Sequence, residues 1–178
     1  MLCGYRGYRP GNHSHFSAST VEREAGGVLL VVSHSRSGGT TQLRDAALAG
    51  IAEGGPGLEV RSVGPLDCGP DDVLAAKGIV LLTPTNFGWM AGLVKDWFER
   101  IFYPCVDHTV GLPFALAVKG GVDVDGGVAS VEKIAIAGLK WKLVAPILTV
   151  VGDVEPQHVD AAWEIGATMA AGLAEGLW

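Results

Sequence analysis

The sequence predicts an α/β fold, a doubly wound parallel sheet with helices on both faces. Residues 28–32 and 79–83 are continuous apolar runs rather than alternating ones, as expected for parallel strands buried on both faces. Each run leads into a polar loop and then a helical pattern, and this strand–helix unit recurs along the chain. Five such units give a five-stranded sheet, for which we expect the strand order 2-1-3-4-5.

The first half of the chain contains three predicted strands and two helices. Apolar residues at helical spacing after the first strand predict a helix that begins at Gln42 and ends before the glycine-rich residues 54–57. Alternation over residues 58–63 predicts the second strand. Asp71 is expected to cap a short helix, residues 72–77, which Gly78 ends before the third strand, 79–83.

The helix after the third strand is amphipathic. One face is polar and the other is apolar, so we expect the apolar face to pack on the sheet; its residues are Met90, Leu93, Val94, Trp97, Phe98, Ile101 and Phe102. A strand at 114–119, a helix at 128–139, a strand at 143–151 and a helix at 156–177 complete the chain. Pro146 removes a ladder donor from the fifth strand, which predicts that this strand lies at the edge of the sheet.

The loop after the first strand has the composition of an anion-binding site. Residues 33–41 read SHSRSGGTT, with hydroxyl groups, two glycines and an arginine between a buried strand and a helix. Glycine lets the backbone turn its N–H groups towards a ligand, and the helix N-terminus adds partial positive charge. A phosphate group is the expected ligand.

Composition and charge exclude several classes of function. The apolar runs fall short of the ~20 residues that a membrane helix needs, and 13 basic against 19 acidic residues without a basic cluster argue against nucleic-acid binding. The cysteines Cys3, Cys68 and Cys105 are scattered, which predicts a reduced, cytoplasmic setting, and we see no metal-ligand set. A charged fraction of only 18% predicts exposed apolar surface and a homo-oligomer, either a dimer or a tetramer.

Residues 1–27 differ in composition from the rest and predict a flexible extension to a single domain at 28–178. Cys3 and Arg9 match the C-x5-R spacing of a tyrosine phosphatase loop, but that loop requires a preceding strand for which there is no room. His13 and His15 are two potential metal ligands without a third.

Two motifs, at the ends of the first and third strands, resemble the flavodoxin-like superfamily, and in particular its FMN-dependent NAD(P)H oxidoreductases. Ser35-Arg36-Ser37-Gly38-Gly39-Thr40 is similar to that family's phosphate loop, S/T-x-T/S-G-x-T. Pro84-Thr85-Asn86-Phe87-Gly88-Trp89-Met90-Ala91-Gly92 is similar to its P-T-x-F-G-x-M-x-G segment, which frames the isoalloxazine ring. The resemblance extends from Val28 to the last helix and implies a flavodoxin-like fold.

The resemblance also implies roles for individual residues. The FMN phosphate would be held by hydroxyl and backbone N–H groups of Ser35, Ser37, Gly38, Gly39 and Thr40. Arg36 occupies a variable position and either neutralises the phosphate or points into solvent, while His34 either faces the ligand or is structural.

Two further segments would contact the flavin ring. The ring edge would meet the segment of Pro84, Thr85, Asn86, Phe87 and Gly88, with Trp89 close enough to stack; for Phe87 and Trp89 the alternative is core packing beneath the loop. The third flavin loop would run from Lys119 to Gly127, where Gly120, Gly121 and Gly127 permit close backbone approach.

The loop after the fourth strand lacks the second aromatic residue with which electron-carrying flavodoxins cover the ring. One ring face would then be open to a nicotinamide. We therefore expect a reductase that passes hydride from NADPH or NADH through FMN to a quinone, a flavin or a similar small acceptor, with no catalytic side chain required. The alternatives are a flavodoxin-like electron carrier reduced by a partner enzyme, and a domain of this fold that binds no flavin.

Overall fold

The structure is a computed structural model that describes residues 27–178. The Cys3–Arg9 spacing, the pair His13 and His15, and all of the predicted extension except Gly27 lie outside the described residues.

The centre of the fold is a parallel sheet. Its strands are β1 (Val28–Ser33), β2 (Val60–Val63), β3 (Ala76–Asn86), β4 (Trp89–Met90), β5 (Pro113–Gly120), β6 (Lys142–Leu143) and β7 (Leu148–Val151). The order is β2-β1-β3-β5-β6, with β4 paired to β3 and β7 paired to β5. Every pairing is parallel except that of β3 with β4. The predicted doubly wound parallel α/β class is confirmed.

Within residues 27–178, five α-helices cover the two faces of the sheet: α1 (Gly39–Gly54), α2 (Pro70–Ala75), α3 (Gly92–Cys105), α4 (Asp125–Ala135) and α5 (Pro156–Glu175). Successive residues of a strand point to opposite faces, so β1 serves two hydrophobic cores. Leu29 and Val31 pack with α1 and α5, whereas Leu30 and Val32 belong to the core that contains Trp97, with α3 and α4.

The helix α1 begins at Gly39, three residues earlier than the predicted start at Gln42. The helix α2 also begins early, at Pro70, a residue favoured in the first turn because it has no N–H to leave unpaired. The capping carboxylate is consequently Asp72, which accepts a hydrogen bond from the Gly69 N–H at 2.8 Å, and the prediction of Asp71 was wrong.

Gly78 does not end a helix, because it lies inside β3. It pairs with Leu29 of β1, and a methyl group placed on Gly78 would lie 3.0 Å from the sulfur of Met169 on α5. The glycine therefore allows α5 to approach the sheet closely.

The predicted fifth strand is divided. Both β6 and β7 pair with β5, and the interval around Pro146 belongs to neither strand. With this division and the additional hairpin strand β4, the sheet formed by the described residues has seven strands in place of the predicted five. The divided strand lies at the outer edge, as Pro146 predicted, because a proline cannot donate to the ladder. Within residues 27–178, no helix is both long and apolar enough to cross a membrane.

Candidate cofactor site

The ends of three strands bring the predicted loops together at one edge of the sheet. Ser33 at the end of β1 is in register with Leu82, and Pro84 of β3 is in register with Lys119 of β5. The loops after β1 and β3 therefore face each other. Between them lies an open cleft of about 600 Å³, lined by Arg36, Asn86, Phe87, Met90 and Gly92.

The loop after β1 turns sharply into the helix α1. The Ser35 hydroxyl oxygen accepts a hydrogen bond from the Gly38 N–H at 3.1 Å, and Gly38 has a φ of +91°, a left-handed conformation that glycine adopts readily. The N–H groups of Gly39, Thr40 and Thr41 then have no intrahelical acceptor, as at any helix start. Three backbone donors are thus presented together at the positive end of the helix dipole.

The formal charge of the loop after β1, residues 34–38, is positive because of Arg36. The first turn of α1 contains no acidic residue, and Arg36 is exposed at the rim of the cleft. The pKa of His34 is lowered, mainly by partial burial and in addition by the nearby charge of Arg36. A smaller depression of about 270 Å³ lies against the same loop, and its lining includes Ser33, His34, Ser35, Thr41 and Arg44.

The segment expected to be a loop after residue 83 is a β-hairpin. The strand β3 continues to Asn86, beyond the end of β1, and pairs with β4 through Thr85–Met90 and Asn86–Trp89. Pro84 is tolerated in this strand because β1 has already ended and offers no ladder partner on that side.

The hairpin holds an aromatic residue in solvent. Phe87 and Gly88 form a two-residue connection with φ values of +52° and +70°, a pattern typical of a type I′ turn. The Phe87 side chain is fully exposed and that of Trp89 is 48% exposed. The structure therefore places Phe87 at the cleft rather than in the core beneath the loop.

The helix α4 supports this hairpin from below. The Ser130 hydroxyl oxygen accepts a hydrogen bond from the Met90 N–H at 3.1 Å and donates to the Gly127 carbonyl at 2.9 Å. A methyl group on Gly126 would lie 1.9 Å from the carbonyl oxygen of Gly88. This contact was not predicted from the sequence, although Gly126 and Ser130 are small residues one helical turn apart, a spacing that favours close approach of another element.

The predicted third loop is shorter than expected because α4 begins at Asp125 rather than at residue 128. Gly127 is consequently in the helix and buried, where a methyl group would lie 2.1 Å from the Thr85 hydroxyl oxygen. That oxygen is itself buried, without a hydrogen-bond partner in the described part of the chain. Gly127 therefore lies beneath the hairpin and packs against Thr85.

The remaining loop, residues 121–124, follows β5. Gly120 is buried in a tight turn, whereas Gly121 and Val122 are exposed, and the Val122 side chain is 92% exposed. The loop contains no aromatic residue. Lys119, which precedes it, extends its side chain across Gly39 at the start of α1.

Comparisons with known proteins identify the fold. Neither a scan of protein-family models nor a search of curated proteins finds a match. Among solved structures, the chain is similar to a flavodoxin from the domain Archaea, with a TM-score of 0.71 and 17% identity over 82% of this chain and 98% of that one.

A second similar structure is flavodoxin 1 of Bacillus cereus, with a TM-score of 0.62 and 23% identity over 79% of this chain and 95% of that one. A third is the rubredoxin oxygen:oxidoreductase of Desulfovibrio gigas, with a TM-score of 0.70 and 12% identity over 84% of this chain but only 37% of that one. The chain therefore spans nearly the whole of the flavodoxins and about a third of the larger oxidoreductase. With its parallel sheet, its flanking helices and its cleft at the carboxyl edge of β1 and β3, the chain has the flavodoxin-like fold.

Proposed function

We propose that the protein binds FMN in the cleft and passes electrons from NADPH or NADH to a small acceptor such as a quinone or a flavin. The observation that carries this proposal is the convergence of an anion-binding loop and an exposed aromatic hairpin on one cleft. Its volume of about 600 Å³ falls within the range of ~300–1,000 Å³ that is usual for small-molecule sites.

The phosphate of FMN fits the loop after β1. Hydroxyl groups of Ser35 and Ser37, together with the free N–H groups at the start of α1, supply hydrogen-bond donors to an anion. Ser37 and Gly38 are exposed, and nothing lies within 4 Å of a methyl group placed on Gly38. A ligand can therefore approach the backbone directly.

The isoalloxazine ring fits the hairpin. Phe87 and Trp89 offer aromatic surface for stacking, and Asn86 offers an amide group for the polar edge of the ring. Because α4 holds the hairpin through Ser130 and Gly126, these groups keep a defined position relative to the phosphate loop.

When bound, FMN would supply the redox chemistry that links a nicotinamide donor to the acceptor. The chain's part is to position the phosphate and the ring edge and to leave one face accessible. The third loop favours such access, because its exposed residues are Gly121, Val122 and Asp123 and none of them is aromatic. An open face allows a nicotinamide to stack at the short distance that hydride transfer needs.

The test is to load the protein with FMN, remove the excess, and add NADPH and then NADH under anaerobic conditions. We expect binding to quench flavin fluorescence and one of the two nucleotides to bleach the visible flavin band. The variant Ser37→Glu should abolish FMN binding but leave the fold intact, because its carboxylate repels the phosphate from a surface loop. If Ser37→Glu binds FMN as tightly as the wild type, our placement of the phosphate is wrong.

The second candidate function is an electron carrier that a partner enzyme reduces. The nearly complete coverage of the similar flavodoxins favours it. A bound flavin that dithionite reduces, but that neither nucleotide bleaches, would support the carrier over the reductase. Absence of FMN binding by the wild type would refute both.

A further inference from the structure

We infer that Lys119 is the charged partner of the ligand's phosphate group, and that it makes the site select a phosphate monoester over the same flavin without its phosphate. This inference rests on the proposed function, because it concerns the phosphate end of the FMN cleft. Lys119 is the next-to-last residue of β5, at the start of the predicted third loop. Its side chain, however, points to Gly39 at the start of α1, next to the loop after β1 that we propose binds the phosphate.

The direction of the Lys119 side chain follows from the sheet. Along β5, Ala117 packs with α1 and α5, and Val118 packs into the other core, so Lys119 points again towards α1. A methyl group on Gly39 would lie 2.9 Å from Lys119 Cε and 3.4 Å from its Nζ. Gly39 therefore leaves the space through which the lysine reaches the start of α1.

The charges at this point are unbalanced. Among the described residues, no carboxylate lies within 4.0 Å of the Lys119 ammonium group, and the first turn of α1 holds no acidic residue. A cation beside a helix N-terminus is unfavourable, because it faces the positive end of the helix dipole. A phosphate between the two accepts hydrogen bonds from both and converts the repulsion into attraction.

Lys119 is better placed for this role than Arg36. The side chain of Arg36 is exposed, where water and salt screen its charge, whereas Lys119 is partly buried between two elements. The ammonium group also lies close to Gly39, the first residue of the helix that presents the backbone donors. Riboflavin, which lacks the phosphate, gains nothing from this arrangement.

The first experiment compares Lys119→Met with the wild type by fluorescence titration of FMN and of riboflavin. We expect FMN binding to weaken about 10- to 100-fold, the range for one charge-assisted hydrogen bond, while riboflavin binding stays unchanged. Lys119→Arg should restore most of the FMN affinity. The matched control, Lys133→Met, removes an exposed lysine from the last turn of α4 and should bind both flavins like the wild type. Equal weakening for FMN and riboflavin, or no weakening, would overturn the inference.

The second experiment needs no flavin. Inorganic phosphate should raise the Tm of the wild type and of Lys133→Met, and should raise that of Lys119→Met clearly less. In buffer without phosphate, Lys119→Met should be at least as stable as the wild type, because the unfavourable charge has been removed. A wild type that fails to bind FMN but shows the lysine-dependent phosphate effect refutes the proposed function and supports the role of Lys119. A phosphate effect that is the same in both variants refutes that role.

Discussion

Phe87 combines two features that fold stability alone does not explain. It is a fully exposed aromatic residue, and it occupies a position with φ of +52° that asparagine, aspartate or glycine usually takes. Strain of this kind costs about 1 kcal/mol or more and persists where surrounding structure enforces it, often at a binding site. We interpret it as the cost of presenting an aromatic ring to the cleft.

Replacement of Phe87 by asparagine should therefore separate stability from binding. We expect Phe87→Asn to raise the free energy of unfolding of the ligand-free protein by about 1 kcal/mol, because asparagine tolerates the left-handed conformation. FMN affinity should fall about tenfold, since stacking on an aromatic ring is worth about 1–3 kcal/mol. Urea unfolding and fluorescence titration measure the two effects.

Tyr103→Asn is the matched control for Phe87→Asn. This tyrosine is 84% exposed and lies eleven residues beyond Gly92 along α3, about 16 Å from the cleft at the helical rise per residue. The Tyr103→Asn substitution should therefore leave FMN affinity unchanged. A Phe87→Asn protein with reduced stability and unchanged affinity would contradict our interpretation of the turn.

At the scale of elements, the position of the loop after β1 depends on the packing of α1 against α5. Methyl groups on Gly50 and Gly166 would each lie 2.0 Å from a backbone carbonyl oxygen of the opposite helix, those of Trp163 and Ala47 respectively. The two backbones therefore touch, and only glycine fits at these positions. This contact fixes the helix whose N-terminus presents the donors of the proposed anion site.

Gly50→Ala tests this contact. In an open helix position the change would stabilise the protein by up to ~1 kcal/mol, but here the methyl group meets backbone that cannot rotate away. We expect a net loss of about 1–3 kcal/mol in the free energy of unfolding, the usual cost of overpacking. At Gly92, in the first turn of α3, a methyl group meets nothing within 4 Å, so Gly92→Ala should be neutral or slightly stabilising. Equal effects of the two changes in urea unfolding would disprove the contact.

At the scale of the whole molecule, the core between the sheet and α3 encloses two thiols. Cys68 and Cys105 are both buried, and burial raises the pKa of each thiol to about 11. In the unfolded chain a thiol has its ordinary pKa of 9.0. The folded protein therefore holds protons that the unfolded chain has already released.

The pH dependence of stability follows from this difference. The contribution of the two thiols to the free energy of unfolding is complete below about pH 9.0, and it is lost as the pH rises towards about 11, because the unfolded state there binds fewer protons than the folded state. We expect the Tm to fall across this window and to fall less steeply in Cys68→Ala/Cys105→Ala, a difference that calorimetry in matched buffers measures. If the double variant keeps the full slope, other groups cause the alkaline loss. The expected homo-oligomer, dimer or tetramer, and the cytoplasmic setting stay predictions.

Much of the fold was predictable from the sequence because the signals are local. The strand at 28–32, the buried face of α3 and the edge position implied by Pro146 each depend on the polarity or geometry of adjacent residues. The loop after β1 was predictable for the same reason, since hydroxyl groups and glycines between a strand and a helix already specify donors at a helix start. Its place opposite the second motif followed from the strand order.

The sequence by itself determined the fold class and the polar, glycine-containing composition of the loop after β1, which predicts anion binding, because these depend on periodicity and on neighbouring residues. Only the tertiary structure decided that residues 84–90 form a hairpin with Phe87 in solvent, that Gly126 and Gly127 support it from α4, and that Lys119 reaches Gly39. Each of these depends on van der Waals or electrostatic contact between residues of different elements. Such contacts leave no periodic signal in one chain, because their distances are set by how the sheet and the helices pack.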